Sequence, residues 1–227
     1  MKKHIPNAIT CCNLISGCVA IVLALQSLYL LAFMAIVVGA VFDFFDGMTA
    51  RLLHVSSPIG KELDSLADVV TFGVAPSAML FRFLADNPGA ATGIRLLPYA
   101  AFLMAAFSAL RLAKFNLDER QTMGFIGLPT PANALFWASL LTAWQEPLAA
   151  DRYTVFILLA GMLLSCFLLV CELPMFALKF KSWGWRGNKV KYLFLLSCIP
   201  LVLLLGLGAL AVIVAWYVLL SVIVKMS

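Results

Sequence analysis

From Tyr192 to Val224 the chain carries no charged side chain. As one helix at 1.5 Å per residue that stretch would reach about 50 Å, whereas the hydrocarbon core of a bilayer is about 30 Å thick. Such a run is too apolar for a water-soluble surface and too long for one membrane crossing. Gly206 and Gly208 fall inside it and supply a turn, which predicts a tight helical hairpin over about 191–225. Further apolar stretches near 11–27, 29–46, 63–85, 94–112, 132–146 and 153–173 bring the expected number of spans to eight. Composition agrees: 63% of residues are hydrophobic and 12% charged, against roughly 45–50% and 25% in soluble domains. A soluble globule, a disordered chain and a disulfide-stapled secreted module are excluded.

The loops give an orientation. With the N-terminus in the cytoplasm and the spans alternating, thirteen of the 16 basic residues fall on the cytoplasmic side and only Arg82, Arg95 and Arg152 lie outside. That asymmetry is the positive-inside pattern. It also accounts for the net charge of +5 through loops and anionic headgroups, without nucleic acid. Lys2, Lys3, His4 and Asn7 beside Ile5 and Ile9 predict a short interfacial helix ahead of the first span, retained in the protein. Trp144 and the pair Trp183 and Trp185 are expected at opposite interfaces, with His4 and His54 near headgroups. Cys11, Cys12, Cys18, Cys166, Cys171 and Cys198 lie in apolar runs without a CxxC pair and read as small buried hydrophobes. The expected fold is an all-α integral membrane protein, one domain over 1–227, with about eight transmembrane helices after the interfacial helix.

Acids inside apolar helices are the informative exception. Asp43 and Asp46 are three apart, and Asp64 and Asp68 four apart, so each pair shares a helix face. A loop of about a dozen residues would join the two helices as antiparallel neighbours with their acidic ends level. Each Asp costs roughly 2.5–3.5 kcal/mol at a helix centre on insertion scales, and clustering adds repulsion. Two divalent cations balance four carboxylates, and all-oxygen ligation suits Mg²⁺ or Mn²⁺. Paired metals clamp attacking and leaving oxygens in phosphoryl chemistry. Gly47 and Gly60 leave room for a phosphate near the backbone. Ser57-Pro58 reads as an N-cap followed by proline in the first turn, and Arg51 offers a planar cation to a diphosphate. Ion pairing of the acids with Arg51 and Lys61, or a cation or proton pathway, are the competing readings. Two bases cannot balance four acids, and the fourth, fifth, seventh and eighth spans carry no mid-membrane acid that would extend a path.

The run Asp43-x-x-Asp46-Gly47-x-x-Ala50-Arg51, then Gly60-x-x-x-Asp64-x-x-x-Asp68, resembles the signature of the CDP-alcohol phosphotransferase family. The segments 63–76, 109–116 and 127–131, with Ile5-Pro6-Asn7-Ala8-Ile9-Thr10, resemble its serine-using branch, the phosphatidylserine synthases. The likeness covers roughly residues 1–180, and Thr71 stands where serine is expected. It implies transfer of a phosphatidyl group from CDP-diacylglycerol to the hydroxyl of L-serine, giving phosphatidylserine and CMP, in the cytoplasmic membrane with the site facing the cytoplasm. It further implies that Asp43, Asp46, Asp64 and Asp68 hold two metals, with Asp68 as shared ligand or general base. Asn7, Thr10, Gly47, Ala50, Arg51 and Gly60 become the CDP contacts, and a homodimer is expected. Serine's carboxylate calls for a nearby cation, for which Arg111 and Lys114 are candidates, with Asn116 and Thr71 as polar partners. Arg120 is expected to be a solvated loop charge. Glycerol 3-phosphate or inositol phosphate are alternative acceptors.

Overall fold

A computed structural model describes residues 4–55, 57–91, 93–117, 125–175, 184 and 188–226. Lys2, Lys3, Arg120, Trp183 and Trp185 lie outside the described residues. The described chain is helical apart from one short strand pair. Among the described residues five stretches are long and apolar enough to cross a membrane: His4–Leu25, Tyr29–Leu52, Pro58–Asp86, Leu97–Leu117 and Lys189–Ile223. Thr154–Val170 is a shorter apolar helix.

α1 (His4–Leu25) is unbroken, so the separate interfacial helix expected before the first span is instead its first turns. Pro6 does not interrupt it, because the first four N–H groups of a helix have no intrahelical acceptor. The buried face of α1 is Pro6, Thr10, Asn13, Gly17, Ala20 and Ala24, small or polar residues at alternating spacings of four and three. Such a face lets neighbouring helices approach closely. Cys11, Cys12 and Cys18 are free but turned outward from α1. An apolar face solvated by lipid does not need to be buried in protein, which corrects their expected burial; Cys166 alone is fully buried.

α2 (Tyr29–Leu52) and α3 (Pro58–Asp68) both extend further toward their shared loop than expected, leaving only 53–57 to connect them. Ser57 caps α3 as expected: its Oγ accepts from the Gly60 N–H at 3.0 Å, and Pro58 occupies the first turn. Directly after Asp68 the helix widens into a π-helical turn, Val69–Val74, before continuing as α4 (Ala75–Asp86). Pro76 cannot donate to the carbonyl four residues back, which favours a register change at that point. The whole stretch from Pro58 to Asp86 is the centre of the bundle. About 67% of its apolar window is buried, against 22–28% for the other four. Phe72, Met79, Leu80, Phe83 and Leu84 form the core with Ile36 of α2.

A 3-10 turn (Leu97–Phe102) leads into α5 (Leu103–Leu117). β1 (Phe125–Ile126) pairs antiparallel with β2 (Pro174–Met175), and the Leu128 N–H donates to Leu168 O at 2.8 Å. These bonds seat the Gly127-to-Pro131 segment on the end of α8 (Thr154–Val170) and launch α6 (Thr130–Ala143); the short α7 (Gln145–Ala150) follows α6. The charge-free stretch turns where expected. α9 (Lys189–Leu205) ends at Gly206, whose φ of 52° suits glycine, and α10 (Ala209–Met226) returns beside it. Trp216 Nε1 donates to Ser197 Oγ at 3.0 Å across this hairpin.

Candidate active site

Asp68 ends α3, ten residues and therefore about 15 Å of helix rise past Pro58; it is buried, as is Asp46, while Asp43 and Asp64 are half-buried. Carboxylate oxygens of Asp43, Asp64 and Asp68 lie within 4.8 Å of one another. Asp64 Oδ1 is buried and has no hydrogen-bond partner. Three close carboxylates with an unsatisfied buried oxygen are an all-oxygen donor set that fits a hard divalent cation. The fourth acid, Asp46, is buried beside them, and its Oδ2 accepts from Thr10 Oγ1 at 2.6 Å.

The ion-pair reading of these acids is not realised. Arg51 Nε donates to Gly47 O at 3.0 Å, and Lys61 Nζ donates to Asn116 O at 2.9 Å. Among the described residues none of the four carboxylates forms a salt bridge. The ion pair Arg82–Asp86, at 2.9 Å, lies at the far end of the central span.

A cleft of about 260 Å³ opens beside the acids between α1, α2 and α3. Asn7, Thr10, Gly47, Ala50 and Gly60, all expected at a nucleotide, line it together with Asp46 and Asp64. Arg51 lines a neighbouring depression with His54. A Cβ on Gly60 would stand 3.0 Å from Ser57 Oγ and 3.1 Å from Asn7 Oδ1, so a side chain there would crowd the cleft wall. Pro6, Val55 and Lys61, which were not expected there, complete the lining with the cap residue Ser57.

The residues expected at the acceptor divide. Arg111 is buried, 6% exposed. Its Nη1 donates to Thr130 Oγ1 at 3.0 Å, and its guanidinium lies 5.6 Å from the Phe115 ring centre. Lys114 points outward from α5. Asn116 Nδ2 donates to Ser65 Oγ at 2.8 Å, which ties the end of α5 to α3. Thr71 is fully buried and its Oγ1 donates to Asn13 O at 3.0 Å. That hydroxyl anchors α1 on the π-helical turn.

Asn13 is the functional residue the sequence reading missed. It is fully buried in α1, and its Nδ2 donates to Asp68 Oδ1 at 3.2 Å. The signal lay in the spacing Asn7, Thr10, Asn13, a polar line at every third residue of an otherwise apolar helix. The close packing around it depends on Gly17 and Gly39. A Cβ on Gly17 would fall 2.8 Å from Thr71 Cα, and one on Gly39 2.5 Å from Thr71 Cγ2.

The acids and the cleft meet in a helical bundle whose long apolar helices suit a membrane. The profile of the CDP-alcohol phosphatidyltransferase family matches residues 3–167, and the chain belongs to that family. Among curated proteins, the CDP-diacylglycerol–serine O-phosphatidyltransferase of Bacillus subtilis (strain 168) is 40% identical over 57% of this chain and 70% of its own length. Proteins of the same name from Helicobacter pylori (strain J99) and Methanocaldococcus jannaschii are 36% and 38% identical over 57% and 58% of the chain. The matches span 54% and 57% of those two relatives.

Proposed function

We propose that this chain transfers the phosphatidyl group of CDP-diacylglycerol to L-serine, releasing CMP. The observation that carries the reading is the convergence of Asp43, Asp64 and Asp68 next to a cleft that Asp64 lines together with Asn7, Thr10, Gly47, Ala50 and Gly60. Family membership and the names of the relatives support the chemistry. Two Mg²⁺ or Mn²⁺ ions held by Asp43, Asp46, Asp64 and Asp68 would neutralise the diphosphate and the leaving CMP. The cleft takes the cytidine diphosphate, with Arg51 at its edge. Asp68 takes the proton of the serine hydroxyl as that oxygen bonds to the lipid-side phosphorus and the bond from this phosphorus to CMP breaks. Asn13, bonded to Asp68 Oδ1, leaves the other oxygen for this work. Arg111, buried and held by Thr130, is preferred of the two basic candidates for serine's carboxylate, since Lys114 is exposed; Lys114 anchors the helix end.

In the membrane the hydrophobic segments form eight spans. α6 and α8 cross as short helices, and the hairpin α9–α10 makes the last two. Both termini and the cleft face the cytoplasm, the protein resides in the cytoplasmic membrane, and two copies form the working unit. The test offers serine, glycerol 3-phosphate or inositol phosphate to purified protein with CDP-diacylglycerol and follows CMP. Serine-dependent release is expected. Release with another acceptor alone overturns the serine assignment, and no release with any acceptor overturns the enzyme reading.

A further inference from the structure

The start of α3 presents Ser57, Gly60, Lys61 and Asp64 to the cleft, the spacing of a single helix face. Lys61 is the only cation among the described lining residues, which include the carboxylates of Asp46 and Asp64. Arg51 lines the neighbouring depression instead, and its Nε is bonded to Gly47 O. Lys61 is exposed and forms no ion pair among the described residues, although Asp64 is only three residues away; its Nζ donates to Asn116 O at 2.9 Å.

That partner is easily given up. Asn116 is the penultimate residue of α5, where helix carbonyls have no intrahelical donor and water can serve them. An ammonium has three donors, of which the bond to Asn116 O uses one. Lys61 also stands where two faces of α3 meet. Ser65, four residues on, accepts from Asn116 Nδ2 at 2.8 Å, so 61 and 65 turn toward α5 while 60, 61 and 64 border the cleft. From that position the flexible lysine stem serves either side. Charge favours the cleft side once substrate is bound. Two divalent cations balance the four carboxylates and leave nothing over for the diphosphate of the lipid nucleotide. Phosphate oxygens are also stronger acceptors for an ammonium than a neutral carbonyl.

We propose that Lys61 binds the diphosphate of the CDP-lipid, its ammonium leaving Asn116 O for a phosphate oxygen. This rests on the serine-transferase reading above and adds a binding residue to its donor site. Lys61 is then the cation inside the cleft, and Arg51 the one at its edge.

The test measures initial rates of CMP release by Lys61→Met and Lys61→Arg in detergent, with free CDP as a competitor. In Lys61→Met the KM for CDP-diacylglycerol and the inhibition constant of CDP should both rise about tenfold or more. The KM for serine should stay within about twofold, since only donor binding is removed. Lys61→Arg, which keeps the positive charge, should recover most of the affinity for CDP. Size-exclusion elution reports folding. If Lys61→Met fails to fold, the unmodified protein decides: CDP with Mg²⁺ should shield Lys61 from acetylation, read by mass spectrometry, whereas cytidine, which has no phosphate, should not. Unchanged CDP inhibition in a folded Lys61→Met, equal shifts in both KM values, or acetylation of Lys61 that CDP leaves unaltered overturns this assignment alone and leaves Lys61 as a tie between α3 and α5. Absence of serine-dependent CMP release by the unmodified protein overturns the underlying function as well.

Discussion

The Asn13 side chain holds Asp68 Oδ1, and the Asn13 carbonyl accepts from Thr71 two residues into the π-helical turn, so one residue of α1 fixes both Asp68 and the helix that carries it. Groups of this kind, which orient a metal-binding carboxylate, change activity by about 10–100-fold when removed. Asn13→Ala should lower kcat by that factor with little change in the KM for CDP-diacylglycerol; an unaltered kcat would show that Asp68 is held without it. Asp68→Asn should abolish CMP release while leaving CDP-lipid binding largely intact, as read by ligand-induced thermal stabilisation, and retained turnover would remove Asp68 from the base role. The acids themselves were legible from sequence because charge inside an apolar helix is costly. Asn13 was not, since a neutral amide among apolar neighbours gives no such contrast. Thr71 was read as a substrate contact for its polarity and position, but its proton is committed to α1.

Helices α1 and α2 and the π-helical turn meet at Gly17, Gly39 and Thr71, where the chains approach so closely that a single methyl group would collide. Overpacking of this kind costs about 1–3 kcal/mol, so Gly17→Ala should lower the apparent Tm in detergent and reduce activity with it. A Tm equal to that of the parent would mean that the junction yields without cost. The long apolar segments and the glycine turn of the last hairpin were readable because hydrophobic length and Gly206 act locally. The inner ends of α2 and α3 were drawn too short, because a polar residue such as Thr49 or Glu62 looks like a loop until the Ser57 cap and the cleft show where the helix begins. The π-helical turn follows from how α1 packs on Thr71 as much as from Pro76, and that packing is invisible along the chain.

The bundle puts its charge asymmetrically: the cleft, Arg51 and Lys61 stand at one end, and the Arg82–Asp86 pair with Ser27 at the other. In a cysteine-free background, Ser57→Cys should react with a membrane-impermeant maleimide only from the cytoplasmic side, and Asp151→Cys only from the opposite side. Labelling of both from one side would contradict the eight-span topology. The last two helices lie beyond the matched family profile, yet Ser139 of α6 donates to Leu207 O and accepts from the Ala211 N–H, so the hairpin packs on α6. Hydropathy alone marked the apolar helices, five of which are long enough to cross a membrane among the described residues, and spacing marked the four acids; the burial of Arg111 against Thr130 came only with the packed helices. The central claim is that the carboxylate cluster, loaded with divalent cations, joins serine to the lipid phosphate. Incorporation of radiolabelled serine into extractable lipid by purified protein tests it directly. Label should enter phosphatidylserine when CDP-diacylglycerol and Mg²⁺ or Mn²⁺ are both present, and be lost with EDTA and in Asp64→Asn. Incorporation that persists in EDTA, or in Asp64→Asn, would contradict the account.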